Sequence, residues 1–206
     1  MNLNDNHTAR MFASDTEELW NELRRYRRHG RPLVVAIDGV SGSGKTQLAA
    51  GLAGHDPHTS VIHMDDIAWN HTFFDWRHLL IDGLLEPLHD GLLPVSYQPQ
   101  GWRHRGRSGA ISIPATAHTV IVEGVGSAAR DVRRLLDVVI WIDVDDAVAR
   151  ERVAARGNDT VEFIAEWESQ EREFLAAHRP WEIADILVDG RGRSAPNHLN
   201  ISGVRS

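Results

Sequence analysis

The chain has 206 residues, 42% of them hydrophobic and 25% charged, the profile of a globular protein able to bury one substantial core. It contains no cysteine, which excludes a disulfide framework and any thiolate metal site. A net charge of −7 argues against a generic polyanion-binding surface, so no nucleic-acid partner is expected and any bound phosphate must be caught by a local device. No apolar run reaches bilayer length, and the polar start MNLNDNHTAR lacks a signal-peptide core. The expectation is a cytoplasmic protein with no membrane contact.

Residues 1–13 read as a flexible tail. Ser14 and Glu17 form a capping-box pair that opens a helix with Leu19, Leu23 and Tyr26 on its apolar stripe, and Gly30 and Pro32 stop it. The basic run LRRYRRHGRP at its end reads as a solvated helix C-terminus, where cations complement the helix dipole, in preference to a nucleic-acid patch. LVVAID (33–38) is apolar and β-branched without alternation, as in a strand buried on both faces. A glycine-rich segment follows, then a helix from Gln47 to Ala53.

The same grammar repeats along the chain. VIHM (61–64) reads as a strand, and 75–89 as a helix with Trp76, Leu79, Leu80, Leu84 and Leu88 inward. TVIVEG (119–124) is strand-like, 127–136 helical, and VVIWID (138–143) a further strand. Helices are expected over 145–156 and 160–177, and ADILVDG (184–190) supplies a last strand. Residues 191–206, rich in glycine, serine and arginine, read as a frayed C-terminal tail. Strands alternating with helices predict one α/β domain over 14–190, a parallel sheet covered on both faces. The stretch from Gly91 to Pro114 breaks the pattern with its prolines, glycines and mixed polar and aromatic residues. It reads as an irregular insertion, either functional or disordered.

DGVSGSGKTQL (38–48) carries the chain's only lysine, Lys45; every other Lys/Arg position is arginine. Gly39, Gly44, Lys45 and Thr46 satisfy G-x-x-x-x-G-K-[ST] between a predicted strand and a predicted helix. The glycines let successive backbone N–H groups face one anionic centre at a helix N-terminus. The nucleotide-binding set is Gly39, Ser41, Gly42, Ser43, Gly44, Lys45 and Thr46, with Gln47 behind them. Lys45 reaches the outer phosphates, and the Thr46 hydroxyl joins the shell of a magnesium ion. An ammonium is a compact point charge and a guanidinium a broad rigid fork, so lysine is retained where arginine would not fit. Switch GTPases are excluded, because their N-K-x-D guanine-reading element needs a lysine and none is left.

Ligands of open α/β sheets gather at the C-terminal ends of the strands. Asp65 and Asp66 follow VIHM there, and Glu123 ends TVIVE. Phosphoryl transfer needs one carboxylate to hold magnesium and another to orient or deprotonate the attacking hydroxyl. Thr46, Glu123 and Asp65 are therefore the candidate metal set. His63 reads as plain packing. Arg150, Arg152 and Arg156 either neutralise developing charge from a mobile lid or form intrahelical ion pairs on a surface helix; in the lid reading, Arg152 and Arg156 act in catalysis with Lys45 and Asp65.

With these segments in place, residues 33–190 resemble the uridine kinase and phosphoribulokinase branch of P-loop kinases. GVSGSGKT is close to that family's serine-rich loop. HMDDIAW stands at its D-D-F-Y element, FFDWRHLL at its A-F-D-x-x-L-L helix, VIVEG at its Walker-B-like strand, and HRPWEIADILVDG at its P-x-x-x-x-A-D segment. The resemblance implies a P-loop NTPase three-layer sandwich with a small lid at 150–160. It also implies an ATP- and magnesium-dependent kinase for a small-molecule hydroxyl, most naturally uridine or cytidine. Asp65 becomes the base, Tyr97 and His104 or Arg105 face the acceptor from a 91–114 acceptor-side segment, and Asp66 and Asp75 help to hold it. Ile67 and Ala68 replace the family's aromatic pair, so acceptor stacking passes to Trp69 or is lost, and Asn158 stands where a lid arginine is expected. These departures fall on the acceptor side. A sugar, sugar acid or vitamin precursor as acceptor, or a regulatory ATP-binding module with no acceptor, are the alternatives, and self-association into a homo-oligomer stays open.

Overall fold

The structure, a computed structural model, describes residues 16–157, 160–190 and 200–204. The expected 1–13 tail and the Ser14 cap lie outside the described residues. Helix α1 (Thr16–Leu23) precedes β1 (Leu33–Gly39), which is buried at every position. Then come α2 (Lys45–Ala53), β2 (Thr59–His63) and α3 (Met64–Ala68). Two short helices, α4 (Arg77–Leu80) and α5 (Glu86–His89), flank a π-helical turn at Ile81–Leu85. The chain continues through β3 (Val95–Tyr97), α6 (Gln100–His104), β4 (Ile111–Ile113) and β5 (Thr119–Glu123). It closes with β6 (Val138–Asp143), α7 (Asp146–Arg156), α8 (Val161–His178), α9 (Pro180–Ile183), β7 (Ile186–Asp189) and β8 (Asn200–Val204).

The main sheet has the order β2-β5-β1-β6-β7-β8; the first five strands are parallel and β8 runs antiparallel on the β7 edge. The unbroken apolar runs of β1, β5 and β6 follow from cover on both faces, since alternate residues serve opposite cores. Val34, Ala36, Val120, Val122 and Val139 pack under the α4–α5 leucines and Phe174 of α8. Val35, Ile37, Ile121, Ile140 and Ile142 pack under Leu19 and Leu23 of α1 and Leu48 and Leu52 of α2. The register places Ile37 opposite Glu123, Glu123 opposite His63, and Gly39 opposite Ile142. All the expected site strands therefore end at one rim.

Four expectations change. The 91–114 segment is not irregular: β3 and β4 pair antiparallel, Val95 against Ile113 and Tyr97 against Ile111, with α6 between them. Strands of three residues are too short to display a period of two, which hid them in the sequence. The expected helix over 127–136 is replaced by turns and a single 3-10 turn at Arg133–Leu135. There the buried Asp38 carboxylate takes the Gly126 and Ala128 N–H groups, and Ser127 Oγ donates to the Ile37 carbonyl. These bonds to β1 take up N–H groups that a helical ladder would need. The tail assigned to 191–206 contains strand β8. Finally, the helix predicted for 75–89 starts at Arg77 and carries the π turn, where Gly83 leaves room for the Tyr97 ring.

Candidate active site

The phosphate loop leaves the end of β1 and enters α2 at Lys45. Gly42 adopts φ +82°, and a Cβ there would collide with the Ala149 carbonyl of α7, so only glycine permits this approach of loop and helix. Gly44, at φ +102°, caps α2. Lys45 arches back over the loop, its Nζ donating to the Gly39 carbonyl at 2.8 Å and the Val40 carbonyl at 2.9 Å. Burial pulls its pKa below the ordinary lysine value, while Asp38, Glu171, Glu123 and Asp65 favour the charged form. Ser43 Oγ is buried with no hydrogen-bond partner, a polar atom left over inside the loop.

Asp38 was invisible as a functional position inside an apolar strand. Its fully buried carboxylate accepts from Gly39 N (2.8 Å), Gly126 N (3.1 Å) and Ala128 N (2.9 Å), tying the start of the phosphate loop to the turn after β5. Burial raises its pKa to about 6 against the pull of these donors and of Lys45.

The acids converge where expected. A cavity of about 80 Å³ is lined by Ser41, Gly42, Gly44, Lys45 and Thr46 of the loop, with Asp65, Glu123 and Arg156 across from them. Gly39 and Ser43 lie behind this lining, and Gln47 points outward from α2. Thr46 Oγ1 donates to Glu123 Oε1 at 3.1 Å. The same oxygen lies 2.6 Å from His63 Nδ1, and because a carboxylate can only accept, that nitrogen carries the proton. His63 is thus a partner of Glu123 and not packing, with its side chain 44% exposed. Burial pushes the Asp65 carboxyl above the usual range, and the Glu123 charge adds to this; Lys45 and His63 pull the other way. A hydroxyl and two mutually repelling carboxylates suit a hard divalent cation, so Thr46, Glu123 and Asp65 can hold magnesium. One other ligand-capable group occurs among the described residues, Asp56 with His58 and His118. It lies at the opposite rim, where Arg27 already holds Asp56 at 2.9 Å.

The acceptor side departs from expectation. Asp66 turns away from Asp65 and pairs with Arg107 at 2.6 Å, while Trp102 Nε1 donates to the Asp66 carbonyl. The Arg107 guanidinium lies 3.5 Å from the Trp102 ring centroid and 5.5 Å from that of Trp69. Asp66 therefore fastens α3 to the 95–113 segment. Tyr97 lays its ring on Gly83 and is half-buried there. His104 and Arg105 are exposed, His104 lying near Gln100, and Asp75 is exposed beside Trp76. None of Asp66, Asp75, Tyr97, His104 or Arg105 lines either cavity at the phosphate loop. Trp69, in contrast, does line one.

That cavity is large, about 920 Å³, and runs between α7 and α8. It shares Ser41, Asp65, Arg156 and Trp167 with the smaller one. Arg152 Nη1 donates to the Gly42 carbonyl at 3.2 Å, Arg150 pairs with Glu168 across the helices at 3.4 Å, and Arg156 faces both cavities. Two residues of α8 were missed. Glu171 Oε1 accepts from Ser41 N at 2.8 Å and from Ser41 Oγ at 2.9 Å, and Trp167 Nε1 donates to Ser41 Oγ at 2.8 Å. Their i, i+4 spacing puts both on one helix face, a weak signal in sequence because any amphipathic helix shows it.

No protein-family model and no curated protein matches the chain. Among solved structures it is similar to a possible uridine kinase from Bacillus stearothermophilus, at 20% identity and a TM-score of 0.59, over 84% of this chain and 96% of that one. It is also similar to a provisionally assigned fructose transport system kinase from Silicibacter sp. TM1040, at 21% identity and a TM-score of 0.50, over 84% and 96%. At these identities the likeness is one of fold, and the fold is the P-loop NTPase-like α/β sandwich expected from the sequence. No helix among the described residues is long and apolar enough to cross a membrane.

Proposed function

We propose that the chain is a kinase that transfers the terminal phosphoryl group of ATP to a hydroxyl of a small molecule. One observation carries this reading: Asp65 stands across a single small cavity from Lys45, Thr46 and Glu123. The loop N–H groups and Lys45 bind the phosphates, and the slim ammonium follows charge as it shifts toward the leaving oxygens. Thr46, Glu123 and Asp65 are the proposed magnesium ligands, with His63 fixing the Glu123 carboxylate. A magnesium ion held there supplies positive charge that offsets the phosphate oxygens. Asp65 takes the proton of the acceptor hydroxyl. A carboxyl raised above its ordinary pKa is a stronger base, which suits that task. Arg152 and Arg156 neutralise charge from α7.

A nucleoside such as uridine or cytidine is the first acceptor to test. A sugar-type alcohol is the second reading, favoured because Asp75, Tyr97, His104 and Arg105, the residues expected to face a nucleoside, stand outside both cavities. The test is ATP-dependent product formation over a panel of nucleosides and sugars with wild-type protein and Asp65→Asn. Product from at least one alcohol, lost in the variant, supports the kinase. Robust ATP hydrolysis with no alcohol phosphorylated would instead support a regulatory ATP-binding module.

A further inference from the structure

The large cavity has an unusual polar floor. Glu171 lines it, yet only 7% of this residue is exposed, and Ser41 engages one of its two oxygens. A buried carboxylate costs free energy unless hydrogen-bond donors meet it. Two donors reach Oε1 from the phosphate loop, and these fix the direction of the carboxylate plane. The same cavity is lined by two large apolar side chains that are exposed, Trp69 at 40% and Phe163 at 42%. A cavity that combines aromatic lining with a held carboxylate suits a ligand with an apolar face and hydroxyl edges.

The charges in the cavity narrow the choice. Arg150, Arg156 and Arg172 oppose a cationic ligand, and Asp65, Glu168 and Glu171 oppose an anionic one. A neutral ligand rich in O–H donors satisfies both sets. Ser41 fills both acceptor positions of Oε1, so the two on Oε2 are left to accept from neighbouring hydroxyls of one ring.

We propose that Glu171 is a specificity-determining residue that reads a vicinal diol on the phosphoryl acceptor within this cavity. The acceptor is then a polyhydroxylated ring, either a free sugar or the ribose of a nucleoside. This deepens the kinase reading and rests on it for which hydroxyl reacts at Asp65, while diol binding itself requires no turnover.

The experiment has a binding arm and a kinetic arm. Tryptophan fluorescence follows titration of the wild type with ribose, fructose, uridine, and their deoxy counterparts lacking one hydroxyl of the diol. The same series is run on Glu171→Gln, which keeps a carbonyl oxygen for Ser41 but replaces the second acceptor with an NH2 group. Binding of at least one diol is expected to weaken roughly 10- to 100-fold in the variant, and the deoxy ligand to bind both proteins alike. In turnover, acceptor KM rises while ATP KM stays within about twofold. Equal losses for diol and deoxy ligands, or a change confined to ATP KM and kcat, would overturn the proposal and leave Glu171 acting only through Ser41. Should Glu171→Gln not fold, the wild type decides: a deoxy ligand bound as tightly as its diol, or no diol bound at all, sinks it. Glu171-dependent diol binding without phosphorylation of any alcohol would overturn the kinase reading and leave this inference standing.

Discussion

On the donor side, the phosphate loop is held between a fully buried strand and the first turn of α2, and its binding groups are largely backbone N–H groups aimed by glycine φ values. On the proposed acceptor side, the wall is made of side chains from α3, the 95–113 segment and α8; Asp66–Arg107 joins the first two, and Glu171 ties α8 to Ser41 of the loop. A backbone device is specified by a few consecutive residues and tolerates little exchange. A side-chain wall can swap one contributor for another from a distant segment. Residues singled out by resemblance therefore gather around one cavity at the loop, while on the other wall all but Trp69 stand outside the cavities.

The contrast breaks most sharply at Lys45. Lys45→Ala is expected to lower kcat by about 10³-fold or more with the melting temperature nearly unchanged, since electrostatic stabilisation dominates phosphoryl transfer. Lys45→Arg is expected not to rescue, because Nζ threads between the Gly39 and Val40 carbonyls where a fork does not fit. Wild-type rate in the arginine variant would refute that shape argument. Asp65→Asn comes next, with kcat down roughly 10²- to 10⁴-fold and ATP affinity retained. In the wild type, the acidic limb of the pH–kcat/KM profile is expected above 3.8, the ordinary aspartate value, because burial and Glu123 raise Asp65. An acidic limb at or below that value contradicts the assignment of Asp65 as base.

Gly42→Ala tests the backbone device itself. Its Cβ meets the Ala149 carbonyl at a φ that alanine resists, so a loss of about 1–3 kcal/mol of stability and at least tenfold weaker ATP binding are expected. Asp38→Asn leaves a buried N–H facing a former acceptor, at about 1–3 kcal/mol by denaturant unfolding. The sign of its pH dependence is also defined. With the folded pKa raised from 3.8 to about 6, the folded state holds more protons across that window, so wild-type stability from this group falls as pH rises through it. The asparagine variant should lack that slope. The smallest effects are expected at Asp75→Ala, His104→Ala and Arg105→Ala, each within about twofold of wild type in acceptor KM, since all three side chains are exposed outside the cavities. A tenfold rise in any of them would restore the acceptor surface implied by the family resemblance.

The same division governs what could be read in advance. The five parallel strands and the loop were legible because β-branched runs and G-x-x-x-x-G-K-T are local patterns. Glu123 and Asp65 were legible because strand ends in a parallel sheet share a rim. Asp38 was not, since a single acid inside LVVAID shows its role only when Gly126 and Ala128 fold back onto it. Likewise, Asp66 looked like a second reactive acid until Arg107, 41 positions away, claimed it. His63 could have been weighed from register alone, because β2 and β5 place it beside Glu123, but that pairing is not written in either strand.

Titration calorimetry of ATP with magnesium into wild type and Lys45→Ala tests the central claim most directly. If the loop and its single lysine grip the triphosphate as proposed, a clear binding heat is expected for the wild type and at least tenfold weaker binding for the variant. No heat in the wild type, or equal affinity in both proteins, would contradict the account.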